Sequence, residues 1–438
     1  MRDNSLDLSI GNMQDIAITL QKRIAEGLKK DGTEIACLPL YIDLKQIGGL
    51  TEGSRILVID FGGTNLRAAI ATLKNRLIII EDNYIIKREL PSKVKESGYT
   101  RDMFFAEILS LVKDLPLEGI TQIGYCFSYP TKTSKDGTDE ILIKWTKGLM
   151  IEDMEGKPVG EPLKAYLNEK LNSKGIHFKT IRVANDTVAS LLAGLDGEPK
   201  DNSHIGIIVG TGYNIACLIK PEGNKLKSTY SIPVNLESGG LHPMGYLSEA
   251  DDILSINTEE KKFEEEEETN KKKAEGRKEI YKPRQFEYKN EQRIEKAISG
   301  AYLGNLLKTI YPYYGFDKKF DTERLNAIIN YPGIYKDEIV ATAWKIYERS
   351  AKFVATSLAG VILMLIEQDP KLEKIHISAE GSLFWSKAGE NNSYKQIVET
   401  QLSLLLKKLN QNVQVEIFDE KENAILRGTA IAGLLTKE

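Results

Sequence analysis

The apolar residues near the start of the chain recur at spacings of three and four. The apolar stripe consists of Ile10, Met13, Ile16, Leu20, Ile24 and Leu28. Such spacing predicts an amphipathic helix, and Gly32 is a suitable stop just beyond it. From Arg55 the pattern changes to the short apolar runs ILVIDF, LRAAIATL and LIIIE, separated by the turns GGTN and KNR. These runs predict three strands, and MFFAEILSLVKDL then predicts a second helix.

A similar order of elements returns later in the chain. HIGIIV leads into the turn GTGYN and then into IACLIK. A strand, a glycine turn and a strand therefore occur twice, which indicates an internal duplication. The same order also occurs in any ordinary hairpin, so the alternative of two unrelated hairpins stays open.

The second half of the chain contains four more predicted elements and one unusual segment. RIEKAISGAYLGNLLKTIYPYYG predicts one amphipathic helix ending near Pro312, and WKIYERSAKFVATSLAGVILMLIEQ predicts a long buried helix. KIHISAEGSLF predicts a strand that enters a glycine turn, and AILRGTAIAGLLTKE predicts a small-residue helix suited to tight packing. Residues 257–293 are rich in Glu and Lys and poor in large apolar residues. They predict a solvated, mobile surface insertion or a lone charged helix.

Length and charge narrow the class of protein. A chain of 438 residues exceeds a single compact core, so two packed lobes or more are expected. The net charge of -4 lacks the basic field of a nucleic-acid binder. Cys37, Cys126 and Cys217 are far apart, and the four histidines show no metal-ligand spacing. We therefore expect neither a disulfide scaffold nor a permanent metal.

The N-terminal sequence lacks the long apolar core that is typical of signal peptides. No apolar run in the sequence approaches the roughly 20 residues that a membrane span needs. We therefore expect a cytoplasmic protein with no membrane or nucleic-acid partner, present as a monomer or a weak homodimer.

The stretch VIDFGGTNLR holds the first candidates for phosphate chemistry. A glycine turn can present N–H groups to a phosphate, a hydroxyl and an amide add donors, and an arginine can neutralise charge on a moving phosphoryl group. The residues of these types are Gly62, Gly63, Thr64, Asn65 and Arg67. Asp60, at the end of the predicted strand, can hold Mg²⁺ through water. The alternative is an ordinary hairpin turn, and the stretch is not a Walker A loop.

A second glycine turn, VGTGYN, contains Gly210, Thr211 and Gly212. Two such turns facing each other across a cleft can hold adjacent phosphates of a nucleotide. The stretch VANDTVASLLAG adds Asn185 and Asp186, where a predicted strand ends and a helix begins. One interpretation is that Asp186 or Thr187 is a helix N-cap. The other is that Asp186 is a catalytic base that accepts the proton of an alcohol attacking a phosphoryl group.

Four longer stretches follow in a fixed order along the chain. They are FSYPTKTSKDGTDEILIKWTKGL at 127–149, GIIVGTGYNIACLI, PVNLESGG and IEKAISGAYLG. The first resembles the sugar-binding stretch of the hexokinase family, including its WTKG core, and the others resemble that family's next three signature segments. The resemblance runs from about residue 56 to the C-terminus and is interrupted by residues 257–293. Ordered matches of this length are far more specific than a single glycine turn.

The resemblance implies an α/β fold of the actin-like, ribonuclease H-like type, with two duplicated lobes, mixed five-stranded sheets and an inter-lobe cleft. It implies a small lobe at 55–187 joined by a C-terminal helix at 421–438. It implies a large lobe at 188–420 that contains the charged insertion 257–293. Residues 1–54 are expected to form an N-terminal helical segment that packs on the large lobe.

The resemblance also implies roles for individual residues. Asp186 matches the family's catalytic base, and Arg67 is expected to act with it. The residues that match ligands of the hexose hydroxyls are Ser128, Thr146, Lys147, Asn185, Asn214, Glu237 and Glu295. The residues that match the ATP site are Asp60, Gly62, Gly63, Thr64, Asn65, Gly210, Thr211, Gly212, Gly381 and Ser382. Mg²⁺ is expected to arrive with ATP and to lie near Asp60.

The chain departs from the family pattern at the edge of the sugar pocket. Ser238 follows Glu237 where the family usually has Trp, and Glu380 stands where Asp is usual. The insertion at 257–293 replaces the family's more regular approach to Glu295. These departures leave the preferred hexose open. Taken alone, Glu295 would be read as a solvated surface carboxylate.

These observations together predict a hexokinase that transfers the γ-phosphate of ATP to the 6-hydroxyl of a hexose, the first step of glycolysis. Glucose is the expected hexose, with mannose and fructose as alternatives. The expected mechanism is in-line transfer from Mg-ATP, with Asp186 as base and closure of the cleft to exclude water. The rival hypotheses are a kinase for another acceptor such as an N-acylated hexosamine, a sugar sensor without catalysis, and a structural protein of the actin type.

Overall fold

Two mixed β-sheets form the framework of the computed structural model, which describes residues 6–62, 65–95, 98–134, 138–145, 149, 151–195, 203–277, 281–317, 320–389 and 392–436. The strands within these residues are β1 Leu38–Pro39, β2 Arg55–Gly62, β3 Asn65–Lys74, β4 Leu77–Ile80, β5 Ile86–Glu89, β6 Gln122–Phe127, β7 Thr131–Thr133, β8 Glu140–Leu142, β9 Thr180–Ala184, β10 His204–Val209, β11 Tyr213–Ile219, β12 Ile232–Asn235, β13 Lys374–Glu380, β14 Lys387–Ala388, β15 Asn392–Ser393 and β16 Gln414–Ile417. The helices are α1 Ile10–Lys29, α2 Arg101–Val112, α3 Glu161–Leu171, α4 Asp186–Gly194, α5 Glu249–Arg277, α6 Arg293–Ile298, α7 Leu303–Ile310, α8 Thr322–Asn330, α9 Asp337–Gln368, α10 Tyr394–Lys408 and α11 Ala424–Leu434.

The two sheets share one topology. The small-lobe sheet has the order β4-β3-β2-β6-β9, in which β2, β3 and β4 are antiparallel neighbours and β2, β6 and β9 run parallel. The large-lobe sheet contains the order β12-β11-β10-β13-β16, with the same antiparallel trio followed by two parallel strands. This repetition confirms the predicted duplicated, two-lobed α/β architecture.

The predicted number of strands per sheet is wrong, because each sheet has six strands among the described residues rather than five. In the small lobe, β3 is ten residues long and pairs with β4 along one half and β5 along the other. In the large lobe, β1 adds two residues of the N-terminal segment to β12. Neither addition has the alternating apolar pattern of a longer strand, so the sequence gives no signal for them.

Helices α4 and α11 lie between the two sheets. A Cβ added to Gly428 of α11 would lie 1.8 Å from the carbonyl oxygen of Ala189 in α4. A Cβ added to Gly206 of β10 would lie 2.4 Å from the backbone nitrogen of Leu191 in α4. Helix α11 approaches β6 of the small lobe equally closely. The prediction of a small-residue C-terminal helix with tight packing is therefore confirmed.

Helix α9 is the long buried helix that the sequence predicts, and α1 packs on it. A Cβ added to Gly360 of α9 would lie 2.7 Å from the carbonyl oxygen of Ala17 in α1. Of the described residues, α9 alone forms a helix long and apolar enough to cross a membrane, with a mean hydropathy of 1.6 in its most apolar window. That window is 83% buried, as in the core helix of a globular fold. The division of the chain at residues 54, 187 and 420 stays a prediction.

The predicted single helix from Arg293 to Pro312 is wrong, because α6 ends at Ile298 and α7 begins at Leu303. In the break, the N–H of Gly300 donates to the carbonyl oxygen of Gly210 at 2.7 Å. The N–H of Ala301 donates to the carbonyl oxygen of Thr211 at 3.3 Å. These two N–H groups bind the turn after β10 instead of continuing the helical ladder, which interrupts the helix.

The charged segment forms the expected helix, but the helix is not alone. Helix α5 begins at Glu249, before the predicted insertion, and residues 281–292 return along it. Phe263 of α5 contacts Phe286 of the return segment with ring centroids 5.6 Å apart. Arg284 donates to Glu267 at 2.6 Å. The described part of the segment is therefore a helix with a packed partner.

The approach of α11 to α4 makes a stability prediction. Replacing a helical glycine by alanine normally stabilises a helix by about 1 kcal/mol. For Gly428→Ala the new Cβ would meet the Ala189 carbonyl at 1.8 Å, and we expect a net destabilisation of about 2 kcal/mol or more. The matched control is Gly11→Ala in α1, whose Cβ would meet only the Ser9 hydroxyl at 3.8 Å. Thermal and urea unfolding measure both, and a Gly428→Ala protein as stable as the control would contradict the packing.

Candidate active site

The C-terminal ends of three parallel strands bring the first candidate residues together. Asp60 of β2 is in register with Cys126 of β6, and Cys126 is in register with Ala184 of β9. Ser128 follows β6, and Asp186 follows β9 as the first residue of α4. Side chains that follow parallel strands meet at one edge of the sheet, so Asp60, Ser128 and Asp186 face the same region.

Asp60 and Arg67 form a partly buried ion pair across β2 and β3. The Nε and Nη2 atoms of Arg67 each lie 2.7 Å from Oδ2 of Asp60. Asp60 is only 5% exposed, and a carboxylate buried to this extent requires such a partner. Gly62 and Asn65 close the two strands as their last register pair. The predicted residues Gly63 and Thr64 lie outside the described residues.

Asp186 lies at the N-terminus of α4 with Asn185 as the N-cap. The N–H of Thr187 donates to Oδ1 of Asn185 at 2.9 Å and to Oδ1 of Asp186 at 2.8 Å. The prediction of an N-cap at Asp186 or Thr187 is therefore wrong by one or two residues, and Asp186 occupies the first turn, where the helix dipole favours a negative charge. Asp186 is half-buried, so part of the residue is exposed to solvent.

Cys126 separates the two acidic groups of the small lobe. Burial raises the pKa of its thiol well above the usual range, and the charges of Asp60 and Asp186 raise it further. The thiol therefore stays neutral beside both carboxylates. Sequence reasoning noted Cys126 only as an unpaired cysteine, and no local motif marks its position between the two carboxylates.

The large lobe contains a polar network, called here the Glu237 wall, that consists of Asn214, Asn235 and Glu237. The amide of Asn214 donates to Oδ1 of Asn235 at 2.7 Å and to Oε1 of Glu237 at 3.3 Å. The amide of Asn235 donates to the same Oε1 at 2.7 Å. Glu237 has a left-handed backbone with φ of 56°, which turns the chain sharply after β12. Asn214 and Glu237 were predicted, whereas Asn235 was missed, although it lies within PVNLESGG two residues before Glu237.

Glu295 lies against the same wall. Its Oε1 accepts the N–H of Tyr213 at 3.3 Å. A Cβ added to Gly212 would lie 3.1 Å from that oxygen, and one added to Gly239 would lie 3.1 Å from the Cβ of Glu295. The reading of Glu295 as a solvated surface carboxylate is therefore wrong, because it contacts the turns that carry Asn214 and Glu237.

Three glycine-containing turns meet at the carboxyl ends of β10 and β13, the same end of the large-lobe sheet that carries Asn214 and Asn235. A Cβ added to Gly210 would lie 3.2 Å from the Cα of Gly381. Gly381 has φ of 110°, and its own Cβ would lie 2.4 Å from the carbonyl oxygen of Val209, so glycine is required there. Gly300 joins them through its bond to Gly210. Thr211 and Ser382 are exposed beside these turns.

Glu380 precedes Gly381 at the end of β13, and charges from other parts of the chain act on it. Burial and, less strongly, the charge of Glu420 raise the pKa of Glu380 to about 7, although the charge of Arg67 opposes them. This influence places Glu380 in the electrostatic range of Arg67 across the lobes.

Some candidate positions and one cavity complete the description. Thr146 and Lys147 lie outside the described residues. A surface cavity of about 200 Å³ is lined by Ile47, Leu73, Ile431 and their neighbours, and no candidate site residue lines it. Within the described ranges, no three His, Cys, Asp or Glu side chains are grouped as a metal site.

Two lobes of one topology, with acidic side chains at the strand ends between them, define the actin-like ATPase class of fold. Two family profiles, both described as hexokinase, match residues 3–195 and 204–330. Hexokinase from Schistosoma mansoni is 30% identical over 322 residues, covering 70% of this chain and 62% of that protein. Human hexokinase-3 is 25% identical over 66% of this chain and 28% of its own length. The chain belongs to the hexokinase family.

Solved structures agree with this assignment at the level of the fold. A hexokinase from Schistosoma mansoni complexed with glucose matches with a TM-score of 0.69 and 20% identity, covering 98% of this chain and 97% of that one. A ROK hexokinase from Thermus thermophilus matches with a TM-score of 0.51 and 14% identity, over 87% and 98% of the two chains. The curated relatives are longer than the matched region, which spans less than two thirds of the relatives named above.

Proposed function

We propose that the chain is an ATP-dependent hexokinase that phosphorylates the 6-hydroxyl of a hexose, with Asp186 as the catalytic base. The observation that carries this proposal is the convergence of Asp186 with the Asp60–Arg67 pair at one strand edge between the lobes. Glucose is the proposed hexose, because the similar Schistosoma mansoni structure is a complex with glucose.

The polar wall around Glu237 suits a hexose. Each sugar hydroxyl both donates and accepts, so a selective pocket needs carboxylates and amides held in fixed positions. Asn214, Glu237 and Glu295 supply them, with Asn235 holding the first two in place. Ser128, Asn185, Thr146 and Lys147 are proposed as the remaining hexose ligands. A sugar that leaves one buried partner unpaired would lose about 1–3 kcal/mol of binding.

The glycine turns suit the nucleotide. Gly210, Gly212 and Gly381 let backbone approach a phosphate or an adenosine closely, and Thr211 and Ser382 supply exposed hydroxyls. Gly62, Gly63, Thr64 and Asn65 are proposed to face them from the small lobe, as the first phosphate segment.

Asp60 is the residue that would hold Mg²⁺. A single buried carboxylate suits this ion, which retains several waters and binds phosphate oxygens as well. When bound with ATP, Mg²⁺ supplies neutralisation of the phosphate charge. Arg67, now 2.7 Å from Asp60, supplies a second positive charge that can turn towards the transferring phosphoryl group.

Asp186 is proposed to orient the 6-hydroxyl and to accept its proton as the oxygen attacks the γ-phosphorus in line. Closure of the lobes over the sugar would exclude water, the competing acceptor. A kinase for another sugar and a non-catalytic sugar sensor are the rival functions. The sensor is disfavoured because the acidic and basic groups of the small lobe are in place. A cytoplasmic location and a monomeric or weakly dimeric state stay predictions.

Replacing the proposed base separates catalysis from sugar binding. Asp186→Asn keeps the size of the side chain but cannot accept the proton, so turnover should fall about a thousandfold. Hexose affinity, measured by calorimetry, should change by less than about threefold, because the residues of the Glu237 wall are unchanged. The control is Asp153→Asn, an exposed carboxylate of the same lobe. Turnover of Asp186→Asn near the wild-type rate would remove Asp186 from the base role.

Glu380 predicts a pH dependence of nucleotide affinity. Its pKa is raised to about 7, so the carboxyl is mainly neutral at pH 6 and mainly charged at pH 8. The charged form should repel Mg-ATP and compete for Arg67, so the KM for ATP should rise about threefold or more between these pH values.

Glu380→Gln removes this titration, so its pH profile is the reference for the wild-type profile. Its KM for ATP should match the wild-type value at pH 6 and stay below the wild-type value at pH 8. Parallel pH profiles for the two proteins would show that Glu380 does not act on the nucleotide.

A further inference from the structure

One carboxylate of the charged segment 257–293, that of Glu259, binds both the return segment and α6. Oε2 of Glu259 accepts the N–H of Lys289 at 2.8 Å and the N–H of Asn290 at 3.2 Å. Oε1 of Glu259 accepts the N–H of Glu291 at 2.8 Å and the ammonium of Lys296 at 3.0 Å. Glu259 thus binds three consecutive backbone amides of the return segment and one side chain of α6.

Lys296 is committed to this contact. It is 6% exposed, and its ammonium also donates to the Ser255 hydroxyl at 2.9 Å and to the carbonyl oxygen of Glu291 at 2.8 Å. All three donor positions of the ammonium therefore have acceptors on α5 or in the return segment. Burial lowers the pKa of Lys296, and its bond to Glu259 opposes this effect. Loss of the Glu259 charge would remove the carboxylate that is hydrogen-bonded to this buried ammonium.

A second set of contacts joins α5 to the beginning of α6. Arg293, which is 4% exposed, donates to Asp252 of α5, to Asn290 and to the Tyr288 hydroxyl. Tyr288 donates to Ser255 of α5 at 3.1 Å. Helix α6 is therefore attached to α5 through both Arg293 and Lys296.

These contacts hold α6 next to the Glu237 wall. Glu295 lies between Arg293 and Lys296 on α6, a helix of six residues. Gln292, the residue before that helix, approaches the Glu237 turn, because a Cβ added to Gly239 would lie 2.8 Å from its Oε1. The amide of Asn290 lies 3.1 Å from Nδ1 of His242, which follows the same turn. A short helix between such contacts cannot shift without moving Glu295.

We propose that Glu259 is a positioning residue for the hexose site, holding the return segment and α6 so that Glu295 and the Glu237 turn keep their places. This inference rests on the proposed function. It gives the charged segment a role in sugar recognition, because Glu259 on α5 holds the helix that carries Glu295.

The variant Glu259→Gln tests this role, because its amide cannot accept four hydrogen bonds or neutralise Lys296. The KM for hexose should rise about tenfold, whereas the KM for ATP should stay within about twofold of the wild-type value. The matched control is Glu260→Gln, the same change at the next, exposed position of α5. A general loss of folding would lower the active fraction and leave both KM values unchanged, so the split between them separates the two causes.

Hydrogen exchange provides a readout that does not need turnover. In Glu259→Gln the amides of residues 289–291 should exchange at least tenfold faster than in Glu260→Gln, while those of α9 keep their protection. Glu259→Asp, which keeps the charge with a shorter reach, should lie between the wild type and Glu259→Gln in hexose KM. If Glu259→Gln does not fold, the same measurements are made on Glu259→Asp.

The outcomes separate this inference from the proposed function. A hexose KM and amide exchange for Glu259→Gln equal to those of Glu260→Gln would overturn the positioning role alone. Equal losses of hexose and ATP affinity would also overturn it. A wild-type chain without hexose-dependent ADP release would overturn the proposed function, and faster exchange at residues 289–291 would then still support the attachment of α6 by Glu259.

Discussion

The fold depends on a helix held between two sheets by contacts that leave no space for a side chain. Helix α4 contacts Gly206 of one sheet and Gly428 of α11 at distances where a Cβ cannot stand. Its N-terminus is thereby fixed at the carboxyl edge of the small-lobe strands, while the rest of the helix packs against the large-lobe sheet. Asp186 is the first residue of this helix, so the same packing that joins the lobes also places the proposed base.

The site around Asp186 is rich in carboxylates, and most of them are stabilised by a cation or by hydrogen-bond donors. Asp60 has Arg67, Glu237 has two amides, and Asp186 has a helix N-terminus. Glu380 is the exception, since burial and Glu420 outweigh the attraction of Arg67 and raise its pKa to about 7. An uncharged state of one carboxyl near neutral pH reduces the repulsion that an anionic nucleotide would meet.

The sequence predicted most of the elements in which one pattern dominates. Helices α1, α9 and α11 have clear periodicity or composition, and the repeated strand–turn–strand order foreshadowed the duplicated sheets. The break between α6 and α7 was missed, because apolar spacing continues through it and only the distant carbonyls of Gly210 and Thr211 interrupt the helix. Asn235 was missed because its partners come from other parts of the chain. The contacts of Glu259 could not be predicted, because it lies in a run of similar charges and only tertiary contacts distinguish it from Glu260.

The most direct test is the release of ADP from Mg-ATP by the wild-type chain, with and without glucose, mannose, fructose, galactose, glucosamine and N-acetylglucosamine. Binding of each sugar is measured by calorimetry on the same preparation. The structure and the family predict ADP release that requires a hexose, with glucose the preferred acceptor. Sugar binding without ADP release would indicate a sensor, and ADP release independent of any sugar would contradict the assignment of Asp186 and the Glu237 wall to hexose phosphorylation.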